Sequence, residues 1–594
     1  MSTLDGLRAR GLFAPVDVEL ARVLSRTVGE ADPKVLLAAA LASRQVREGH
    51  VCADVHAFAG AAIVDADGVP LGGAEYPDFE EWTSLLRGSK LVTTATGEPR
   101  PLLLTDDGRL YLWRYWDHEQ RVAEALLERA KPAPVDAKLG SALRRLFGPP
   151  EGPDAQRALC MVATLGHLAI VSGGPGTGKT TTVVKLLALL SELGLSSGRT
   201  RLLAPTGKAA QRLGEAIQTG LARLDVEASI QTEASTIHRA LGPTRLATRF
   251  RHDRDNPLSA DLVIVDESSM VDVALMRRLL DAVPPNARLI LLGDEHQLAS
   301  VEAGAVLGDV CRGADQRAYS PRLRERARAV FEEDLPVADS GDQQSPMGDS
   351  VVRLTRSYRF DPARGIGGLA SAIRAGDAEQ ALALLAEGRD VRLCAAGSAE
   401  LSELCVRGYR PALTAATAAD ALGAFNRFRV LCAHRRGKAG VQLQNPRIER
   451  ALAEAGLLAR SGARFFPRRP LLITENDPRL GLYNGDIGIV VEHDGTLRAA
   501  FPGAEGVRLL SPSRLPPHET VFAMSIHKSQ GSEFDEVAVV LPGPASPLLT
   551  RELLYTAVTR ARERVVIFGD PASVRAAIAR RLHRTSGLGA LLWP

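Results

Sequence analysis

The chain has 594 residues, 45% of them hydrophobic and 24% charged, the composition of an ordinary globular protein. At roughly 150 residues per domain this predicts about four domains, with enough core to need no disulfide or metal staple. Lys plus Arg is 73 and Asp plus Glu is 70, and the net charge of +3 excludes a polybasic binder that works by bulk charge. A polyanion partner therefore has to bind in a local groove. The six cysteines (Cys52, Cys160, Cys311, Cys394, Cys405 and Cys432) form no C-x-x-C pair or zinc-spaced cluster and read as buried, reduced thiols. The opening MSTLDGLRARGLF places Asp5 and arginines where a signal peptide needs an apolar run. The most apolar windows, 182–195 and 287–293, are too short for a bilayer, so the expected location is cytoplasmic.

Residues 1–115 open with VDVELARVLSRTV and PKVLLAAALASRQVREG, apolar at spacings of three and four, and predict a helical N-terminal domain without catalytic residues. The aromatics of LYLWRYWDHE precede an amphipathic helix and read as core. Residues 116–153 are that helix and a linker ending in GPPEGP. From about 154 to 353, HLAIVSG, TRLLAPT, DLVIVDE and ARLILLGD are each followed by a helical pattern, which predicts a parallel sheet with crossover helices. Within it GPTRLATRFRHDRDNPLSA, 242–260, predicts a projecting hairpin whose arms are TRLATRF and the stretch ending at NPL. It would be charged by Arg245, Arg249, Arg251, His252 and Arg254 and stand either as a solvated surface or as a wedge at a duplex junction. Segment 311–350 turns from Arg-rich to acidic, and its second half reads as a mobile loop. In 354–594 a second α/β series runs through RVLCAH, DEVAVVLP and RVVIFGD. It is interrupted at about 484–521 by strands and Gly/Pro turns that predict a small β-barrel insertion.

AIVSGGPGTGKTTTVVKLLALL, 169–190, carries the strongest chemical signal. Gly173 to Thr180 fits G-x-x-x-x-G-K-[ST] between an apolar strand and a helix. Backbone N–H groups of Gly173, Gly174, Gly176, Thr177 and Gly178, with Pro175 shaping the loop between them, and the helix N-terminus, with Thr181 just inside it, would cradle phosphates. Lys179 would reach the β/γ-phosphates of ATP, and the Thr180 hydroxyl would ligate Mg²⁺. LVIVDESSM places Asp266 at the end of a buried strand to hold the metal and Glu267 to polarise the attacking water. Gln297 in LLGDEHQL is placed as a γ-phosphate sensor. Arg359 in LTRSYRF and Arg560 in YTAVTRAR lie outside the first α/β domain, where they would close over a nucleotide held between two domains; for either alone, a surface ion pair is the alternative.

LLAPTGKAAQRL, ASTIHRALG and SIHKSQGSEFDEV follow strand-like runs with hydroxyl, Lys or His side chains. Such groups grip a phosphodiester backbone without reading sequence. The candidates are Pro205, Thr206, Lys208, Thr236, His238, Ser525, His527 and Lys528, with ordinary buried histidine as the alternative for His238 and His527.

In this order, GGPGTGKTTT, LLAPTGKAAQRL, STIHRALG, LVIVDESSMVD, GDEHQLASVEAGAVLGDV, LTRSYRF, YNGDIGIV, SIHKSQGSEFDEV and YTAVTRAR resemble the superfamily 1 DNA helicases, and among them the RecD family. The resemblance implies two RecA-like parallel-sheet domains and an SH3-like form for the insertion. It implies that Gln156 reads adenine and that Gly531 and Glu533 line the nucleotide site. It further implies 5′→3′ movement on single-stranded DNA, duplex ends as substrate, RecB-like and RecC-like partner subunits, and an N-terminal domain that docks on one of them. Only about 150 residues precede the P-loop, without helix-hairpin-helix elements, which favours such a subunit over a free-standing RecD-like helicase. No nuclease constellation is present, so nuclease activity is expected from a partner. A DNA-binding structural subunit without turnover is the reading of different class, and the intact hydrolytic positions argue against it.

Overall fold

The computed structural model describes residues 4–593 apart from 65–69, 134–137, 149–153, 195–198, 225–231, 245–248, 317–318, 333, 336–346, 460–462 and 504–505. Most of the predicted linker at 148–153, the tip of the 242–260 hairpin and the acidic stretch of 311–350 therefore lie outside the described residues. The Arg-rich first half of 311–350 is ordered as the helix Pro321–Phe331, capped by Ser320, with Phe331 buried against the first domain.

The N-terminal part is not purely helical, which corrects the sequence expectation. Helices Pro15–Val28 and Pro33–Arg47 pack with β1 (Ala53–Asp54), β2 (Ala62–Val64), β3 (Pro70–Glu75), β4 (Val92–Thr93), β5 (Leu102–Leu104) and β6 (Arg109–Leu112). β1, β6, β5 and β4 form one sheet, and β2 pairs with β3. Most of these strands have two to four residues, too short to display a period of two. The helix Trp113–Arg129 leaves this sheet and packs Val122 and Leu126 into the core of the next domain.

The first parallel sheet contains β7 (Leu168–Gly173), β8 (Thr200–Ala204), β9 (Thr232–Thr236), β10 (Leu262–Val265), β11 (Arg288–Gly293) and β12 (Val351–Leu354), ordered β12-β7-β11-β10-β8-β9. Every residue of β7 and β10 is buried, as expected of strands covered on both faces. Ala169 and Val171 face helices Ala155–Leu165, Lys179–Glu192 and Gly207–Arg223, while Leu168 and Ile170 face helices Trp113–Arg129, Val273–Ala282 and Val306–Arg312. β9, a polar TEAST edge strand, lies where a strand-like run is expected ahead of ASTIHRALG, though it carries no apolar run.

The second parallel sheet starts with β13 (Val391–Cys394) and β14 (Phe428–Cys432). The chain then builds an antiparallel sheet of β15 (Pro470–Ile473), β16 (Ile487–His493), β17 (Thr496–Gly503), β18 (Gly506–Leu510) and β19 (His518–Thr520) before returning as β20 (Ala523–Ser525), β21 (Phe534–Val540) and β22 (Ala561–Phe568). The parallel order is β13-β22-β21-β14-β20 and the antiparallel order is β18-β17-β16-β15-β19. The insertion thus begins at Pro470, earlier than the turn-rich pattern from 484 suggested, because PLLI reads as another core strand. Among the described residues it does not close: β18 and β19 stand at opposite edges.

Only Val521 and Phe522 separate β19 from β20, and both are buried. Arg429, fully buried over the Phe425 ring, donates to Val521 O at 2.6 Å, and Asn445 exchanges hydrogen bonds of 2.8 and 3.0 Å with the Ala523 backbone. All six cysteines are buried and none is in a disulfide. Among the described residues no helix is long and apolar enough to cross a membrane.

Candidate ATP site and nucleic-acid interface

The C-terminal ends of the first sheet face the second domain across a cavity of about 740 Å³. β7 delivers the chain into the loop Gly174–Gly178, and helix Lys179–Glu192 begins at once, so its unpaired N–H groups point into the cavity. Gly176 and Gly178 sit at φ 75° and 82°, where a side chain is strained. A Cβ at Gly178 would also stand 2.3 Å from Gln156 Nε2, and one at Gly176 2.4 Å from Arg359 Cβ. Gln156 donates to Thr177 O at 3.4 Å, which places it at the loop's outer rim. The Lys179 ammonium folds back onto the carbonyls of Gly173 and Gly174. It is the side chain that an entering phosphate would draw off.

Asp266 ends β10 and accepts a 2.8 Å hydrogen bond from the Glu267 N–H. Burial, and then the neighbouring Glu267 charge, push its carboxyl up. Glu267 is held at φ 52°, a left-handed conformation costing about 1–3 kcal/mol for a residue with a side chain and typical of reactive positions. Gln297 donates to Asp294 Oδ2 at 3.1 Å, and Tyr555 of the second domain donates to the same oxygen at 3.0 Å. Gln297 Oε1 is buried without a partner. An orphaned acceptor beside a nucleotide-sized cavity fits a bound water, which can donate to it. Thr180 lines the cavity with Asp266, so the proposed metal pair shares one wall.

The opposite wall is arginine-rich. Arg359 donates to Glu533 Oε1 at 2.8 Å, while Arg562 and Arg212 approach Glu533 Oε2 at 3.0 and 3.1 Å. Burial works to raise the Glu533 carboxyl, but the guanidiniums of Arg359, Arg212 and Arg562 outweigh it and bring it down to about 2. Arg560 is buried and donates to the carbonyls of Thr556 and Ser532. Every sequence-predicted nucleotide residue borders this cavity except Gly173, whose carbonyl faces inward to Lys179. Sequence reasoning missed Arg212, Tyr358 and Tyr555. Tyr358, 60% exposed, donates its N–H to Gly176 O at 2.8 Å and stands beside Gln156 at the cavity mouth.

The polynucleotide candidates occupy the C-terminal ends of β8, β9 and β20, the last two being edge strands. Their hydroxyls are engaged: Thr206 Oγ1 accepts from Ala209 N, Thr236 Oγ1 from Arg239 N and Ser525 Oγ from Lys528 N. They order N-termini whose remaining N–H groups stay available to phosphate. Pro205 precedes the first of these caps. Burial, with Arg429 and Arg212 nearby, lowers the Lys208 ammonium to about 8. Burial lowers His527 as well, and Lys528 pairs with Glu519 at 2.6 Å. His238 lies 6.0 Å from the Phe250 ring of the 242–260 segment.

That segment does pair with itself, but with other arms than expected. Thr244 N donates to Arg249 O and Arg251 N to Gly242 O, so 242–244 meets 249–251. The stretch toward NPL forms its own turn, closed by Asp253 and Asn256 and tied down by Arg254–Asp281 at 3.4 Å.

Three family models match the chain: RecBCD enzyme subunit RecD, N-terminal domain, over residues 9–111; an AAA domain over 156–303; and a UvrD-like helicase C-terminal domain over 520–568. The RecBCD enzyme subunit RecD of Mycolicibacterium smegmatis is 43% identical over 98% of both chains. That of Haemophilus influenzae is 34% identical over 94% of this chain and 93% of the other. The ATP-dependent RecD2 DNA helicase of Deinococcus radiodurans is 31% identical over 80% of this chain and 57% of its own length. With identity of that degree along almost its whole length, the chain belongs to the RecD family.

Proposed function

We propose that this protein is an ATP-driven DNA helicase, moving 5′→3′ on single-stranded DNA as the RecD-type motor of a RecBCD-like helicase/nuclease that processes duplex ends. The observation that carries the reading is the shared cavity: phosphate-binding backbone, Lys179, Asp266 and Glu267 come from one parallel sheet, Arg560 from the other, and Arg359 from the segment that leads from β12 into the second domain. Turnover then requires both domains, and closing and opening the cleft is the stroke. Glu267 takes the proton of the attacking water, Gln297 holds that water against the γ-phosphate, and Lys179, Arg359 and Arg560 take up the charge that develops. Thr180 and Asp266 would hold Mg²⁺, which when bound neutralises phosphate charge. Tyr358 and Gln156 bracket the place of the adenine.

The subunit reading, with RecB-like and RecC-like partners and a cytoplasmic location, draws on the higher identity to the RecBCD subunits than to the RecD2 helicase. Val16 and Val23, seven apart on helix Pro15–Val28 and 60% and 50% exposed, give the N-terminal domain an apolar face for docking. The test uses the protein with its co-purifying partners. ATP turnover should rise with single-stranded DNA, and a duplex with a 5′ tail should be opened in preference to one with a 3′ tail. Absence of turnover would leave a DNA-binding structural subunit.

A further inference from the structure

The chain crosses between the two parallel-sheet domains a second time, at its C-terminal end. After helix Pro571–Ala579 of the second domain it runs extended to Gly587 and ends in the short helix Leu588–Leu592. Leu588 and Leu592 are buried in the core of the first domain, and Trp593 Nε1 donates to Val310 O at 3.2 Å. On the way, Thr585 O accepts from Val51 N at 2.8 Å, and Glu119 accepts from Ser586 Oγ and Gly587 N. The strap thus starts on the second domain and finishes on the first and on the N-terminal domain.

Arg584 is the residue where the strap meets the site. Its Nη2 donates to Ser300 O at 2.7 Å, and its Nη1 to Glu302 O at 2.9 Å and Gly49 O at 2.6 Å. Ser300 and Glu302 flank Val301, an apolar side chain 70% exposed at the crown of the loop that begins at Gln297. The same loop is tied to the second domain at Leu298, whose N–H donates to Thr556 Oγ1 at 2.9 Å and whose carbonyl accepts from Gln530 at 2.8 Å. Gly304 N donates to Gly49 O at 3.0 Å, anchoring its far end to the N-terminal domain. Ser300 Oγ also faces Glu302 O and Gly304 O at 2.9 Å, but a crown tied only to itself can still shift as a unit when it is pushed. A guanidinium fork on both carbonyls beside Val301 makes it rigid, so a displacement at the crown reaches Gln297. Gly49 is shaped for this approach: it sits at φ 93°, and a Cβ would lie 1.8 Å from Arg584 Nη1.

We propose that Arg584 is a positioning residue that braces the Gln297 loop against the N-terminal domain, so that DNA held at His527 and Lys528, beside the Gln530 that grips Leu298 O, accelerates ATP turnover. This rests on the helicase reading above. The experiment measures ATP turnover of the full chain with its partners, with and without saturating oligo-dT. Arg584→Ala should keep unstimulated turnover and the KM for ATP within about twofold while losing about tenfold of the stimulation by DNA. Gly49→Ala, which displaces the same guanidinium from outside the loop and strains the backbone whose carbonyl holds Gly304, should lose at least as much stimulation. Full stimulation in a folded Arg584→Ala protein overturns the brace. If Arg584→Ala melts more than about 10 °C low, Arg584→Lys decides: a loss of stimulation of about threefold or more supports the brace and a smaller one overturns it. A wild-type protein without DNA-stimulated turnover would instead sink the helicase reading itself.

Discussion

The two parallel sheets are built alike, yet they bring different materials to the cavity between them. The first offers backbone: a six-residue strand, two left-handed glycines and a helix N-terminus fix the phosphate donors without any side chain having to choose a rotamer. The second domain and the segment leading into it offer long side chains, and these are already occupied, Arg359 by Glu533 and Arg560 by the carbonyls of Thr556 and Ser532. On the first wall only Lys179 has to leave its partners, the carbonyls of Gly173 and Gly174, while on the other both arginines do. On the proposed function, the fixed donors bind and the releasable ones time the reaction.

The sharpest way to break this contrast is at the fixed wall. Lys179→Ala should abolish DNA-stimulated ATP turnover, a loss of about 10³ or more, while single-strand affinity stays within a few-fold, since Lys179 faces the phosphate loop. Turnover persisting in that variant would remove the first sheet from the chemistry. On the releasable wall, Arg560→Ala should cost about 10³ in kcat with nucleotide binding retained. A fall in affinity alone would make Arg560 a binding group, and the two walls equivalent. Glu533→Gln tests the release itself. With its orienting carboxylate gone, Arg359 should serve poorly and kcat should drop about tenfold at unchanged nucleotide affinity. If affinity falls and kcat holds, Glu533 touches nucleotide and its arginine contacts are incidental.

Away from the cavity the expected effects shrink. Replacing Arg249 and Arg251 by Ser should leave DNA-stimulated ATP turnover within about twofold and reduce unwinding of a forked duplex about fivefold, if the hairpin beside His238 parts the strands. Equal unwinding would make it a solvated surface. The smallest effect belongs to the seam beneath the strap. Burial pushes Glu119 up to about 7 and Asp309 to about 6. A carboxyl raised in the folded state binds its proton more tightly there, so its contribution to stability falls as pH rises from the ordinary carboxylate range through those values. Between pH 5.5 and 8 the wild-type Tm should therefore fall a few degrees more than that of Glu119→Gln. Parallel pH profiles would show that Glu119 does not titrate there.

The same contrast explains what the sequence disclosed. The P-loop, Asp266 and Glu267 were legible because their function follows from backbone geometry within a few consecutive residues after buried apolar strands. Arg359 and Arg560 were legible only as arginines in motif-like surroundings. Arg212, one cation on an amphipathic helix, looks like any solvated surface residue until Glu533 is seen beside it. Glu119 and Ser586, 467 positions apart, meet only after both domains have folded. The N-terminal strands were too short to show alternation. In each case the missing information was a contact between distant segments, which no local pattern encodes.

The junction between β19 and β20 has a mechanical consequence. The antiparallel sheet is spliced into the second domain, and its last strand continues into the edge strand that carries Ser525 toward His527 and Lys528. Two buried residues form the splice, bolted by Arg429 and Asn445. Such a joint has no slack. Drag on the inserted sheet is delivered as tension along β20, and a load on β20 swings the sheet, so the inserted sheet acts as an arm whose pivot is the strand that carries Ser525.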